Sequence, residues 1–205
     1  MPESTLSPQR EKNLFFQRWL KNPLALGAVL PSSQRFSRFV AAKVLEMSGD
    51  RIAKGGILAE IGAGTGSFTQ ALLDAGLPKS QLVPIELDQN LFLYLQKRFP
   101  GLSPICGDAR DLHNLLPPDK KEKLCAVVSG IPMITMPEDV QTDIINSAFA
   151  LLKSEGLLYQ FTYSPVSSIP AERFGLEKQR LGTVFMNVPP ATVWCYRQTK
   201  ASRKQ

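Results

Sequence analysis

Histidine and cysteine are scarce in this chain. His113 is the single histidine, and Cys106, Cys125 and Cys195 have neither paired spacing nor other metal-ligating residues gathered around them. That scarcity excludes a zinc site and a disulfide framework, and it assigns Cys125 and Cys195, which lie in strand-like runs, to the core of a protein kept in a reducing compartment. Long apolar runs are missing too. None reaches the roughly 18 to 20 residues needed to cross a bilayer, and no secretory leader is visible, so the expected location is the cytoplasm. Repeats and low-complexity tracts are absent. The 205 residues, 43% of them hydrophobic, suffice for one compact unit with a sizeable core.

Charge is distributed unevenly within the net +6. Residues 1–54 hold 9 basic and 4 acidic side chains, residues 55–170 hold 8 and 12, and residues 171–205 hold 7 and 2. Basic ends around an acidic centre suggest an anionic partner, either nucleic acid or a lipid surface.

The acidic centre carries the chemistry. Residues 58–66 read Leu-Ala-Glu-Ile-Gly-Ala-Gly-Thr-Gly, an apolar strand running into a turn. Glycines at 62, 64 and 66 permit a sharp turn and a close approach of backbone to ligand. The G-x-G-x-G spacing differs from the G-x-G-x-x-G of dinucleotide folds, and with Glu60 just before it the pattern resembles S-adenosylmethionine enzymes of the Rossmann-like class. Glu86, 20 residues past Gly66, ends the next apolar run and is placed to accept both ribose hydroxyls of a nucleoside. Asp108, after the short run 102–105, is a candidate acceptor for an adenine amino group. Ser129-Gly130-Ile131-Pro132 closes a further strand and forms the floor beside a methyl donor. All four features sit at expected strand C-termini, where open α/β sheets bind ligands. The expected cofactor set is Glu60, Gly62, Ala63, Gly64, Thr65, Gly66, Glu86, Leu87, Asp108, Ala109 and Ser129.

Periodicity predicts helices over 10–22 and 33–48, the second capped by Ser32 or Ser33. Then follow strand 56–61, helix 66–75, strand 81–86, helix 89–98, strands 102–105 and 124–129, helix 138–150 and strand 156–163. Such alternation implies a parallel sheet. Ser164 to Lys178 reads as a loop or short helix over the sheet edge, and runs 183–188 and 192–196 as a closing strand pair, one of them antiparallel. The expected architecture is α/β: a Rossmann-like, mostly parallel seven-stranded sheet with helices on both faces. Residues 1–54 form an N-terminal helical segment and residues 55–205 the catalytic domain.

In the first helix Phe15, Phe16, Trp19 and Leu20 share an arc of about 140°, opposite Arg10, Gln17, Arg18 and Lys21. Lys12 intrudes on that face, and Leu14 lies outside it. Aromatic bodies on one side and cations on the other suit a helix lying in a membrane interface, and equally a lid packed on the domain.

Beyond the glycine turn, the run from Phe16 to Ser33, the segments Gln160-Phe161-Thr162-Tyr163-Ser164-Pro165 and Ser129 to Pro132, and Asn187-Val188-Pro189-Pro190-Ala191-Thr192-Val193-Trp194 resemble bacterial phospholipid N-methyltransferases over nearly the whole chain after about residue 14. That resemblance implies a class I methyltransferase, peripheral on the inner membrane, that converts phosphatidylethanolamine stepwise to phosphatidylcholine with S-adenosylmethionine as donor and S-adenosylhomocysteine as product. The same family is related to ribosomal RNA adenine dimethylases. Enzymes that methylate nucleic-acid amines usually present an Asn or Asp followed by Pro-Pro-Tyr or Leu-Pro-Tyr to grip a flipped base. Here Ser129 to Met133 lacks both the amide and the ring, so nucleic acid is the weaker reading. A lipid-binding protein without catalysis is the non-enzyme alternative, and intact Glu60, Glu86 and Asp108 argue against it. On the lipid reading, carbonyls of Ser129, Gly130 or Ile131 accept the amine's hydrogens, and Tyr163 orients the headgroup. Arg18, Lys21 or Arg35 would bind the lipid phosphate.

Overall fold

The computed structural model describes residues 31–153, 155–164, 166–185 and 190–199. The helix expected over 10–22, with Phe15, Phe16, Arg18, Trp19, Leu20 and Lys21, lies outside the described residues.

Helix α1 spans Pro31–Ala53. It starts at Pro31 rather than after it, because proline has no N–H to lose at the first helical position. It stops where Gly55 turns left-handed (φ 88°) and donates its N–H to the Ile52 carbonyl at 2.9 Å. Strand β1 (Ile57–Ile61), helix α2 (Ser67–Asp74), strand β2 (Leu82–Glu86) and helix α3 (Gln89–Arg98) follow, all within a residue or two of expectation. Asp88 caps α3 by accepting from the N–H groups of Asn90 and Leu91.

Strand β3 is confined to Ile105–Cys106, shorter than the 102–105 run and shifted past it. Pro104 removes a ladder donor and biases the residue before it, so pairing starts only beyond it. Short helices α4 (Leu112–Leu115) and α5 (Pro118–Lys121) precede strand β4 (Leu124–Ser129), helix α6 (Glu138–Leu151) and strand β5 (Leu157–Thr162). Strand β6 covers Leu176–Val184 and β7 covers Ala191–Gln198. The start of β6 corrects the expectation of a loop through Lys178 and a strand from Thr183. Exposed Glu177, Lys178 and Arg180 belong to an edge strand, where charged side chains face solvent and hide the strand pattern.

The sheet order is β3-β2-β1-β4-β5-β7-β6. Strands β1 to β5 pair in parallel, and β7 runs antiparallel to both its neighbours. Strands β1, β2, β4 and β5 are buried on both faces, while edge strand β3 is only partly covered. Leu58, Val128, Tyr159 and Cys195 pack one side against α1, α2 and α3, while Ile61, Val127, Leu158 and Tyr196 pack the other against α4 and α6. Cys125 and Cys195 are buried free thiols, as expected. Residues 31–53, read from sequence as part of an N-terminal segment, insert Phe36, Val40, Ala41 and Val44 into this core. No helix among the described residues is long and apolar enough to cross a membrane.

Candidate functional site

Strand order reverses at β1, between β2 and β4, and a crevice opens there beyond the strand C-termini. Gly62, the first residue of the glycine turn, forms its floor. Gly62, Gly64 and Gly66 all adopt left-handed φ (67°, 57° and 79°), and no other residue type among those described does so. Backbone N–H groups of Gly62 and Ala63 both donate to the Ile85 carbonyl, at 2.9 and 3.2 Å, which locks the turn to β2.

Glu86 completes the lock. One carboxylate oxygen accepts from the Gly64 N–H at 2.7 Å and the other from the Asp88 N–H at 2.9 Å. Burial raises its pKa, and the N–H bonds from Asp88, Gly64 and Leu87 oppose that rise. Each oxygen keeps lone-pair capacity for a further donor.

The resulting cleft, about 200 Å³, is walled by Ile85, Glu86, Leu87, Gly107, Asp108, Ala109 and Arg110 on one side and by Ile131, Met136, Val140 and Ile144 on the other, with Gly62 at its base. Apolar walls around one buried carboxylate suit a nucleoside, whose base is flat and apolar-faced and whose ribose presents two hydroxyl donors. Asp108 is already engaged: it accepts from the Arg110 N–H at 2.9 Å and from the Arg110 guanidinium at 2.6 and 2.9 Å. Burial pushes its carboxyl up, but Arg110 outweighs burial and the net pKa is lowered.

Arg110, Gly107 and the α6 wall join the cleft without a local signal in the sequence. The i, i+4 spacing of Val140 and Ile144 was visible, but which partner that face meets depends on packing between remote segments.

Glu60 lies beneath the cleft, off its wall. It is wholly buried and accepts from the Thr69 N–H at 3.2 Å and the Thr69 hydroxyl at 2.5 Å, tying β1 to the first turn of α2. Ala63, Gly64, Thr65 and Gly66 shape the turn without lining the cleft, and Ser129 also lies off its wall. The Thr65 carbonyl accepts from Arg98, and a side chain at Gly66 would run into Phe99.

Burial lifts the Glu60 pKa from 4.5 to about 8. The folded state therefore holds this proton more tightly than the unfolded chain, so the contribution of Glu60 to stability is complete below about 4.5 and is lost as pH rises through about 8. Glu60→Gln keeps an acceptor for Thr69 and removes the titration. Its urea-unfolding midpoint is expected to vary less than the parent's across that window; identical pH profiles would exclude Glu60 as the titrating group.

The β4 turn closes against the glycine turn. Gly130 donates its N–H to the Ile61 carbonyl at 2.8 Å, and a Cβ on Gly130 would sit 2.5 Å from the Gly62 carbonyl oxygen. The buried Ser129 hydroxyl accepts from the Ile131 N–H at 3.3 Å. Of the candidate acceptor carbonyls, that of Ile131 is already filled by the Met133 N–H at 2.8 Å and the Gln160 amide at 2.9 Å. Among the described residues no donor meets the Gly130 carbonyl. Gln160, 1% exposed, is a clamp that was not assigned from sequence; its side chain tells of its partner only once β5 lies beside β4. Tyr163 stands outside the cleft, 54% exposed, edge-on to Phe161 at 5.8 Å. Arg35 is exposed on α1. No cluster of metal-ligating residues occurs among the described residues.

The sheet order and glycine turn together define a class I S-adenosylmethionine-dependent methyltransferase fold. The chain is similar to magnesium protoporphyrin IX methyltransferase (ChlM) from Synechocystis PCC 6803, solved with bound S-adenosylmethionine (TM-score 0.57, 15% identity, 97% of this chain and 100% of that one). It also matches TrmN from Thermus thermophilus (TM-score 0.59, 16% identity, 78% of this chain), of which it spans about half, 48%. In sequence it is 27% identical to the ornithine lipid N-methyltransferase of Singulisphaera acidiphila over 192 residues, 92% of this chain and 97% of that protein. No family model matches the chain.

Proposed function

We propose that this protein is an S-adenosylmethionine-dependent N-methyltransferase acting on the amine of a membrane-lipid headgroup at the bilayer surface, with phosphatidylethanolamine as acceptor and S-adenosylhomocysteine as by-product. The observation that carries methyl transfer is the all-glycine left-handed turn anchored by Glu86 beside an apolar cleft. The lipid acceptor is supported by similarity to a lipid N-methyltransferase along nearly the full length of both chains.

Glu86 would hold the two ribose hydroxyls, Leu87, Ala109 and Ile131 the faces of the adenine, and Asp108 its amino group through the lone pairs that Arg110 leaves free. Bound there, the cofactor supplies a methyl group already activated on a sulfonium. The chain's own task is mainly delivery, which makes positioning the dominant catalytic effect. The headgroup arrives as an ammonium ion and must shed a proton, and a desolvated pocket favours the neutral amine. The Gly130 carbonyl would accept a remaining N–H, while the ring of Tyr163, on the rim outside the cleft, would meet the methylated cation at the mouth. Arg35, with Arg18 and Lys21 from the preceding segment, serves the lipid phosphate.

Ornithine lipid is a second acceptor, favoured specifically by the 27% identical relative. Incubation with labelled methyl donor and, separately, vesicles containing phosphatidylethanolamine, vesicles containing ornithine lipid, and ribosomal RNA distinguishes the readings. Label is expected in lipid amine; label only in RNA, or none anywhere, would overturn the proposal.

Complete extraction of a two-chain lipid is prohibitive at about 0.8 kcal/mol per exposed methylene, so the enzyme must meet its substrate in the membrane. Deleting residues 1–22 should therefore weaken cosedimentation with liposomes at least tenfold and leave the thermal unfolding of the domain in place. Undiminished cosedimentation would remove Phe15, Phe16, Trp19 and Leu20 from the membrane contact.

A further inference from the structure

Four large apolar side chains stand out just beyond the C-terminal ends of β4, β5 and β6, along the same rim of the sheet on which the cleft opens: Ile134 (52% exposed), Tyr163 (54%), Val166 (67%) and Phe185 (76%). Singly exposed apolar residues are ordinary, but these share one edge. Thr162 of β5, Thr192 of β7 and Thr183 of β6 register in a single row across the sheet. Strands β5 and β6 run in the same direction, so Tyr163 and Phe185 lie one and two residues past that row, two strand spacings or about 10 Å apart. Val166 follows on the turn after β5, and Ile134 on the turn after β4. Tyr163 is rooted, since it leans on Phe161, which packs against Phe36 and Phe68 at 5.4 and 5.2 Å.

We infer that this rim is a lipid-docking surface in its own right, separate from the N-terminal segment, and that it seats the mouth of the cleft on an anionic bilayer. The inference rests on the lipid reading above and names the surface that presents the site to its substrate. Charge favours that occupant. Arg35 and Arg38 flank Phe36 on the first two turns of α1, and Arg180 on β6 reaches the Thr183 hydroxyl at 2.7 Å. Of the acidic groups near the rim, Glu138 at the start of α6 is paired to Arg173 at 3.3 Å and Asp74 shares a groove with Arg38, which leaves Asp139 as the acid set against these cations. Helix α1 begins at this same edge, since Phe36 near its start meets Phe161 near the end of β5 while Ser48 farther along reaches Tyr159.

The test uses the full chain and the double variant Val166→Asp/Phe185→Asp, neither position lying in the cleft or the core. Probes are vesicles of phosphatidylglycerol with phosphatidylcholine, neutral phosphatidylcholine vesicles, and monomeric short-chain phosphatidylethanolamine below its micelle concentration. The double variant is expected to bind anionic vesicles at least tenfold more weakly and to methylate vesicle phosphatidylethanolamine correspondingly less. Its thermal unfolding and its turnover on the monomeric acceptor should match the parent's. Parental binding by the double variant, equal affinity of the parent for neutral and anionic vesicles, or tighter anionic-vesicle binding after deletion of residues 1–22, as if the chain's own segment had covered the rim, would each overturn the inference. Parental binding with intact lipid methylation defeats the rim alone, whereas vesicle binding with no lipid methylated defeats the acceptor reading alone.

Discussion

Glu86→Ala should weaken S-adenosylmethionine binding by two orders of magnitude or more in titration calorimetry. The carboxylate is 4% exposed and holds the Gly64 and Asp88 N–H groups, so its loss removes the ribose acceptor and releases the turn together. Hydrogen bonds to a charged group are worth about 1.5 to 3 kcal/mol each, and losing two of them corresponds to roughly a hundred- to ten-thousandfold in affinity. Glu86→Gln, which retains an acceptor, should lose less. Because burial raises the Glu86 pKa, binding by the parent should fall as pH drops through a value above the usual 4.5, where the carboxylate takes up its proton. Parental affinity in Glu86→Ala would refute the proposed pocket.

Gly130→Ala should cost stability and activity together. Its Cβ would lie 2.5 Å from the Gly62 carbonyl oxygen, a contact between two backbones with no flexible side chain to yield. Both turns are held, Gly62 by the Ile85 carbonyl and Gly130 by the Ile61 carbonyl. Overpacking of this kind costs about 1 to 3 kcal/mol, and displacement of the Gly130 carbonyl should lower turnover on lipid at least a hundredfold. Gly64→Ala is the informative contrast. Its Cβ would meet nothing within 4 Å, so only the left-handed backbone, φ 57°, resists it, at about 1 to 2 kcal/mol. Thermal unfolding and turnover of the two variants, measured side by side, check the difference. Parental stability and turnover in Gly130→Ala would show that the turns do not constrain one another.

Much of the site was legible because its parts are local in the chain. A strand ending at Ile61, three glycines at alternate positions and a carboxylate closing the next strand are each readable from a few neighbouring residues. Position at a strand's C-terminus then brings them to one crevice. The elements that resisted reading have non-local causes. Strand β3 shrinks because Pro104 interrupts its pairing with β2, and β6 hides behind Glu177, Lys178 and Arg180 because an edge strand has a free side. The sequence shows Asp108 without its Arg110 partner, and it shows Glu60 beside the glycine turn without the Thr69 that takes its carboxylate below the cleft.

The sequence by itself determined the alternation of strands and helices, the glycine turn and the acid that faces it, since backbone permissiveness and hydrophobic period are properties of short stretches. Tertiary structure alone decided that Gln160 fills the Ile131 carbonyl, that Val140 and Ile144 wall the cleft, and that Tyr163 meets solvent on the rim. Those outcomes depend on which remote strand or helix arrives alongside, and a hydrogen bond or a packed face exists only once both partners are in place.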